Sequence, residues 1–297
     1  MDPIAHFRSF IPTVRGFARG ALLAATAGVL LATPLLATPQ PGVTFSGCGG
    51  AEATVHDAGY EAQVVELVNQ LRAEHGDLPS LKQTAALTAA ARYHAVDMGS
   101  DDYFDHATYD RSGQLLVHIC DAFDRIGRWY ANWSNAAENL GAGYAAPEQV
   151  VASWMSSPDH RDNLLSPHLT EIGVGYAVGS GHYGAYWVAT LGARRSVYPA
   201  VINREAAVTD SRTVEVYVYG AWADVRLRND GDAWSAWQPF RNRISWTLAN
   251  RAGEQTVTVE VRNAAASAVM SDTITVDIAA VSQERWASVT YLPVVNR

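Results

Sequence analysis

The sequence predicts an α+β domain followed by a β-sandwich. Three observations carry that reading. Residues 61–76 and 84–100 place apolar side chains at helical spacing. Two apolar stretches, 171–178 and 183–193, are joined by GSGH and read as an antiparallel pair. From Thr209 onward, strict alternation replaces helical spacing: TVEVYVYG sets Val214, Val216 and Val218 on one face.

Taken in order, EAQVVELVNQLRAEHG aligns Val64, Val68 and Leu71, and Gly76 ends the helix. In the next helix Leu87, Ala91, His94 and Met98 form one stripe. A histidine on a core-facing stripe reads as a hydrogen-bonded structural residue, and His94 is carried as a neighbour of the cleft described below. Residues 99–135 read as a polar loop. Its Asp101, Asp102, Asp105 and Asp110 lack calcium-loop spacing and the terminal Glu, so they read as solvated. Trp129, Tyr130 and Trp133 are either core or the wall of an apolar pocket. A helix follows from Pro147 through Trp154, with Val150, Val151 and Trp154 inside.

Then comes SPDHRDNLL. Ser157 suits an N-cap, because its hydroxyl can accept a bond from a free backbone N–H, and Pro158 suits the first helical position. His160 then falls in the first turn of a short helix ending near Leu165, at the positive end of the dipole. Residues 196–208 read as a linker. About six short strands follow, a β-sandwich pattern. Trp222, Trp234, Trp237 and Trp246 read as its core, with a sugar-stacking face as the alternative.

Arg8, Arg15 and Arg19 precede an apolar run from Ala21 to Leu36 and then TPQPG. This is the layout of a secretory signal over residues 1–39, with a Gly- and Pro-rich lead-in over 40–59. The alternative is a membrane anchor, but the run is short against the roughly 20 residues a span needs. Export and an even cysteine count suggest a Cys48–Cys120 disulfide; a lipidated Cys48 is the other possibility. The formal net charge is −8, and residues 1–39 contribute +2, leaving −10 for the remainder. An acidic surface without a basic stripe excludes nucleic-acid binding as the expected role, and any membrane encounter is expected to be transient, through the signal.

Five segments then fall into one arrangement: HAVDMGSDDYFDH (94–106), AENLGAG (137–143), WMSSPDHRDNLL (154–165), EIGVGYA (171–177) and YWVATLG (186–192). In order and spacing they resemble the bacterial SCP-like branch of the CAP superfamily of cysteine-rich secretory proteins, antigen 5 and pathogenesis-related proteins. The resemblance covers residues 60–195. It implies an α-β-α sandwich with a cleft lined by two histidines and acidic residues. His106, Glu138 and His160 match three of those positions. The second family glutamate falls at Ser157, a neutral hydroxyl. The C-terminal strands, residues 209–297, weakly resemble immunoglobulin-like modules of secreted bacterial proteins.

Two imidazoles and a carboxylate are a plausible Zn²⁺ set with one position left for water, which the metal would activate. Without metal, Glu138 can orient a histidine as a general base. Ser157 reads as a cap and not as a nucleophile. The expected function is therefore a secreted binding protein that takes a small apolar ligand, a lipid, or an extracellular protein or carbohydrate partner at the His106/Glu138/His160 cleft. Metal-assisted extracellular hydrolysis with Glu138 as ligand or base is the alternative.

Overall fold

The structure is a computed structural model that describes residues 46–50 and 52–277. The signal reading for 1–39, and the first residues of the lead-in, lie outside the described residues. Asp57 opens α1 (Ala58–Glu74) by accepting a bond from the Tyr60 N–H at 3.0 Å. After the short β1 (Lys82–Gln83), Thr84 caps α2 (Ala85–Asp101). The segment 99–135, read above as a loop, holds a hairpin of β2 (Thr108–Ser112) and β3 (Leu115–Cys120) and the short helix α3 (Ala122–Trp129). Glu138 lies on β4 (Trp133–Ala142), whose first residues fall within that segment. On β3 the apolar Leu115, Leu116 and Val117 face out alongside polar neighbours, so apolar periodicity does not mark these elements.

Pro147 and Pro158 stand at the starts of α4 (Pro147–Ser156) and α5 (Pro158–Leu164), where a missing N–H costs nothing. Two long strands follow, β5 (Glu171–Val178) and β6 (Ala185–Arg194). The sheet has four strands in the order β1-β5-β6-β4 rather than the two expected. It is antiparallel except for β1 against β5, and β4 is an edge. Alternation on β6 decides the layers. Tyr186 and Val188 pack with Ala91, Tyr93 and Ala95 of α2; Trp187, Ala189 and Leu191 pack with Val64 and Val68 of α1 and with Val150 and Trp154 of α4. Helices therefore cover both faces. Gly173 and Gly175 let β5 press against α2: a Cβ at either would come closer than 3.0 Å to α2 backbone.

The strand region begins earlier than the linker reading allowed. β7 (Ala200–Ile202), a 3-10 turn at Asn203–Glu205 and β8 (Val208–Thr209) precede β9 (Thr213–Val218), β10 (Asp224–Asn229), β11 (Gln238–Pro239), β12 (Arg243–Thr247), β13 (Gly253–Arg262) and β14 (Ser267–Val276). They form a five-stranded sheet, β11-β10-β13-β14-β8, and a three-stranded one, β12-β9-β7. One core joins the two, with Val214, Val216 and Val218 against Val225, Leu227, Val257 and Val259. Trp222 and Trp246 pack on this core. Trp234 and Trp237 do not: the guanidinium of Arg226 lies between them, 4.8 and 4.6 Å from their rings, and Arg228 and Arg262 continue the stack.

All described residues fall in one compact unit. Lys82 on β1 bonds Glu205 at 2.9 Å and also pairs with Asp272 on β14. Asn203, Arg204 and Glu205 hold left-handed φ angles of 43°, 62° and 67°, a conformation that disfavours side chains.

Candidate functional site

Cys48 and Cys120 are joined, with Cα atoms 5.7 Å apart, which favours the disulfide over a lipidated Cys48. Beside Cys120 starts α3, whose Arg125 side chain is fully buried. Arg125 Nη1 donates to the His106 carbonyl at 2.9 Å and to Thr108 Oγ1 at 2.8 Å. Its Nη2 donates to Glu138 Oε2 at 2.7 Å, and Glu138 Oε1 accepts from His106 Nδ1 at 3.0 Å. The site is thus a chain: Arg125, Glu138, His106.

Glu138 is 7% exposed. Burial alone would raise its pKa, but His94, the His106 hydrogen bond and Arg125 outweigh it and hold the carboxyl at about 2. An ionised carboxylate can only accept, so His106 Nδ1 must carry the proton and its Nε2 is the free end. The His106 side chain is 54% exposed.

His94 stands behind the site. It is fully buried, with Nε2 donating to the Asp105 carbonyl at 2.9 Å. Burial first, and the Arg125 charge second, lower its pKa to about 3, so it is neutral near pH 7. Its place is structural, and among the described residues Arg125 is the permanent cation on Glu138.

His160 approaches from the other layer. On β4, Glu138 faces the layer that holds His94 and Arg125, while the next residue, Asn139, turns the opposite way. Asn139 Nδ2 donates to the His160 carbonyl at 2.9 Å, and Asn163 Nδ2 donates to Asn139 Oδ1 at 2.9 Å. Arg72 holds the end of α5 through the Leu164 and Ser166 carbonyls, at 2.7 and 3.0 Å. Since β4 is an edge strand, groups held on its two faces can meet beyond that edge. His160 feels His106: burial and then the charge of His106 lower its pKa.

Ser157 occupies the N-cap position of α5, but its hydroxyl makes no cap bond. Ser157 also ends α4, so one residue serves two helices. Its backbone does the work, N–H to the Trp154 carbonyl at 3.2 Å and C=O from the Arg161 N–H at 2.9 Å.

The arrangement does not fit the expected Zn²⁺ set. Both Glu138 oxygens are already bonded, one of them to a guanidinium, which opposes a second cation. Among the described residues, the only three His, Cys, Asp or Glu side chains whose ligand atoms come within 4.8 Å of one another are Asp97, Asp101 and Asp110. Zn–N bonds of roughly 2 Å need closer donors than His106, Glu138 and His160 offer.

The solvated-loop reading holds for Asp102 and Asp105, which are exposed outside helix and strand, and needs correction for Asp101 and Asp110. Asp101 ends α2, Asp105 Oδ1 accepts from the Ala107 N–H at 2.8 Å, and Asp110 lies on β2 and accepts from the Gly47 N–H. Of the three aromatics, Trp129 packs on Tyr93 and Tyr130 is buried, its hydroxyl on Glu171. Trp133 instead pairs with Phe123, ring centroids 5.7 Å apart. Phe123 is 50% exposed, and Leu115, Leu116 and Val117 on β3 are exposed as well. The elements that build the polar site therefore also carry exposed apolar side chains. Arg125 was missed by sequence reading, because an arginine in a polar stretch carries no signal of its burial.

The family model described as "CAP: Cysteine-rich secretory protein family" matches residues 65–191. The chain is 39% identical over 119 residues to the uncharacterized protein YkwD of Bacillus subtilis, covering 39% of this chain and 42% of that one. It is 30% identical over 115 residues to the uncharacterized membrane protein YlbC of the same organism, covering 39% and 31%. Each match spans less than half of the relative's own length. Among solved structures, an extracellular SCP-domain protein of Bacillus anthracis is 27% identical, covering 46% of this chain and 41% of that one, with a TM-score of 0.37. An outer surface protein of Borrelia burgdorferi is 19% identical, covering 48% and 99%, with a TM-score of 0.40. Residues 65–191 form a CAP domain of the kind these bacterial proteins carry.

Proposed function

We propose that the protein is an extracellular binding protein that takes a small amphipathic ligand, such as a lipid, or an apolar segment of an extracellular partner, at the His106/Glu138/His160 cleft. The observation that carries this reading is the Arg125–Glu138–His106 chain. It fixes one imidazole with Nε2 outward, a polar anchor, while spending both Glu138 oxygens on structure. A carboxylate so engaged is poorly placed to act as base or metal ligand. The paired rings of Phe123 and Trp133, with exposed Leu115 on β3, supply apolar surface on the same elements. The C-terminal strands are read as an immunoglobulin-like accessory module. Arg226, Arg228 and Arg262 lie over the Trp234 and Trp237 rings, so those faces are not open to sugars.

Titration of the exported protein with dodecanoate, followed calorimetrically, tests the reading. Binding is expected, with His106→Ala and Phe123→Ser each weakening it about tenfold or more while circular dichroism is unchanged. No dodecanoate binding, together with stoichiometric Zn²⁺ in the purified protein and its loss in His160→Ala, would establish the alternative, a metal-assisted hydrolase.

A further inference from the structure

A second polar group lies on the inner side of α2, one turn beyond His94. Asp97 is fully buried, and its Oδ2 accepts the Tyr103 hydroxyl. Its Oδ1 is shielded from solvent and has no hydrogen-bond partner. Such an oxygen is costly, because water has been removed and nothing replaces it. Oxygens of Asp97, Asp101 and Asp110 all lie within 4.8 Å of one another, with Asp101 and Asp110 half-buried.

Among the described residues Arg125 and Arg111 act on this group only from a distance. Among the described residues none of the three aspartates has an ion-pair partner. Arg111, the neighbour of Asp110, gives its guanidinium to the carbonyls of Asp101 and Asp102, at 2.5 and 2.8 Å. Arg125 is spent on Glu138. The cluster is thus short of positive charge and has an oxygen with nothing to bond.

We propose that Asp97, Asp101 and Asp110 form a site for a hard divalent cation, Ca²⁺ by its donor chemistry. All donors are carboxylate oxygens, which suit Ca²⁺ over zinc or copper. Ca²⁺ tolerates irregular geometry at 2.3–2.6 Å and completes its shell with water, whereas Mg²⁺ demands a near-ideal octahedron. A cation here supplies the partner that Asp97 lacks and ties α2 to β2. Asp110 also holds the Gly47 N–H at 3.2 Å, and Gly47 adjoins the disulfide at Cys48, so the lead-in is fastened at the same place. The site shares no ligand with the His106 cleft and does not depend on the function proposed for it.

The test is calorimetric titration and thermal melting of the full exported chain, stripped with EDTA, against CaCl₂ at constant ionic strength. One Ca²⁺ per chain is expected, with an upward shift in Tm of about 5–10 °C at a hundredfold excess over Kd. Asp101→Asn and Asp110→Asn are half-exposed, isosteric changes and are expected to keep the fold. Each should weaken Ca²⁺ binding about tenfold or more and shrink the shift accordingly; Asp97→Asn should abolish both. Failure of the wild type to take up Ca²⁺, or uptake and Tm shift retained in full by both Asp101→Asn and Asp110→Asn, overturns the site.

Discussion

Replacing Arg125 with methionine removes the cation from the cleft while keeping a side chain of similar reach. Glu138 Oε2, Thr108 Oγ1 and the His106 carbonyl lose their donors together. Breaking a buried ion pair from one side costs about 3–5 kcal/mol, because the remaining charge is stranded. A second route gives the same scale. A carboxyl held at about 2 instead of 4.5 contributes roughly 3 kcal/mol at neutral pH. Arg125 and the His106 hydrogen bond supply part of that; His94, neutral near pH 7, does not. The sign follows from proton counting. Between pH 4.5 and 2 the unfolded chain binds more protons than the folded one, so this stability is present above 4.5 and is lost as the pH falls towards 2. Urea unfolding should therefore show the largest difference between wild type and Arg125→Met at pH 7, and a smaller one at pH 3. The double variant Arg125→Met/Glu138→Gln should cost less than the sum of its parts, since no charge is left stranded. A cost below about 1 kcal/mol at pH 7, a cost that does not change with pH, or strict additivity would refute the reasoning.

Two further outcomes follow from the packing. Lys82→Met should destabilise by about 3–5 kcal/mol in urea unfolding, because it strands the buried Asp272 charge and removes the donor to Glu205 at the junction between β1 and the C-terminal strands; in the wild type, burial and Asp272 push Glu205 up to about 8 against the pull of Lys82, so its contribution is full below pH 4.5 and fades as the pH rises through 8. Gly175→Ala should lower stability by about 1–3 kcal/mol or more, read as a drop in Tm, since its Cβ meets the backbone of Ala91 and Arg92.

Much of the fold was legible where side-chain pattern and burial coincide. The α2 stripe of Leu87, Ala91 and Met98 is fully buried, and so are Val214, Val216 and Val218 of β9 within 2%. The failures share a cause. On the β2–β3 hairpin Leu115, Leu116 and Val117 are exposed, so their hydrophobicity marks no inward face. β4 runs Trp-Ser-Asn-Ala-Ala-Glu-Asn from an exposed start to a buried end, and its strand character comes from pairing with β6, Glu138 opposite Thr190. The Ser157 cap failed differently. The residue type and position were right, but the hydroxyl was not needed, because backbone bonds on both sides already close the turn.

The cleft shows why motif residues alone underdetermine a mechanism. His106, Glu138 and His160 can be named from sequence, and their names suggest zinc. What each can do depends on groups that no motif marks. Arg125 takes one oxygen of Glu138, and with the carboxylate ionised the second bond sets the tautomer of His106. Asn139, adjacent to Glu138 but turned to the other face, holds the backbone of His160. Two neighbouring residues on an edge strand therefore organise the two histidines from opposite layers. The carboxylate's hydrogen bonds are used up in doing so. An imidazole fixed in this way, with a free Nε2 and exposed apolar side chains on the same elements, is better suited to hold a ligand's polar group than to share a metal with Glu138.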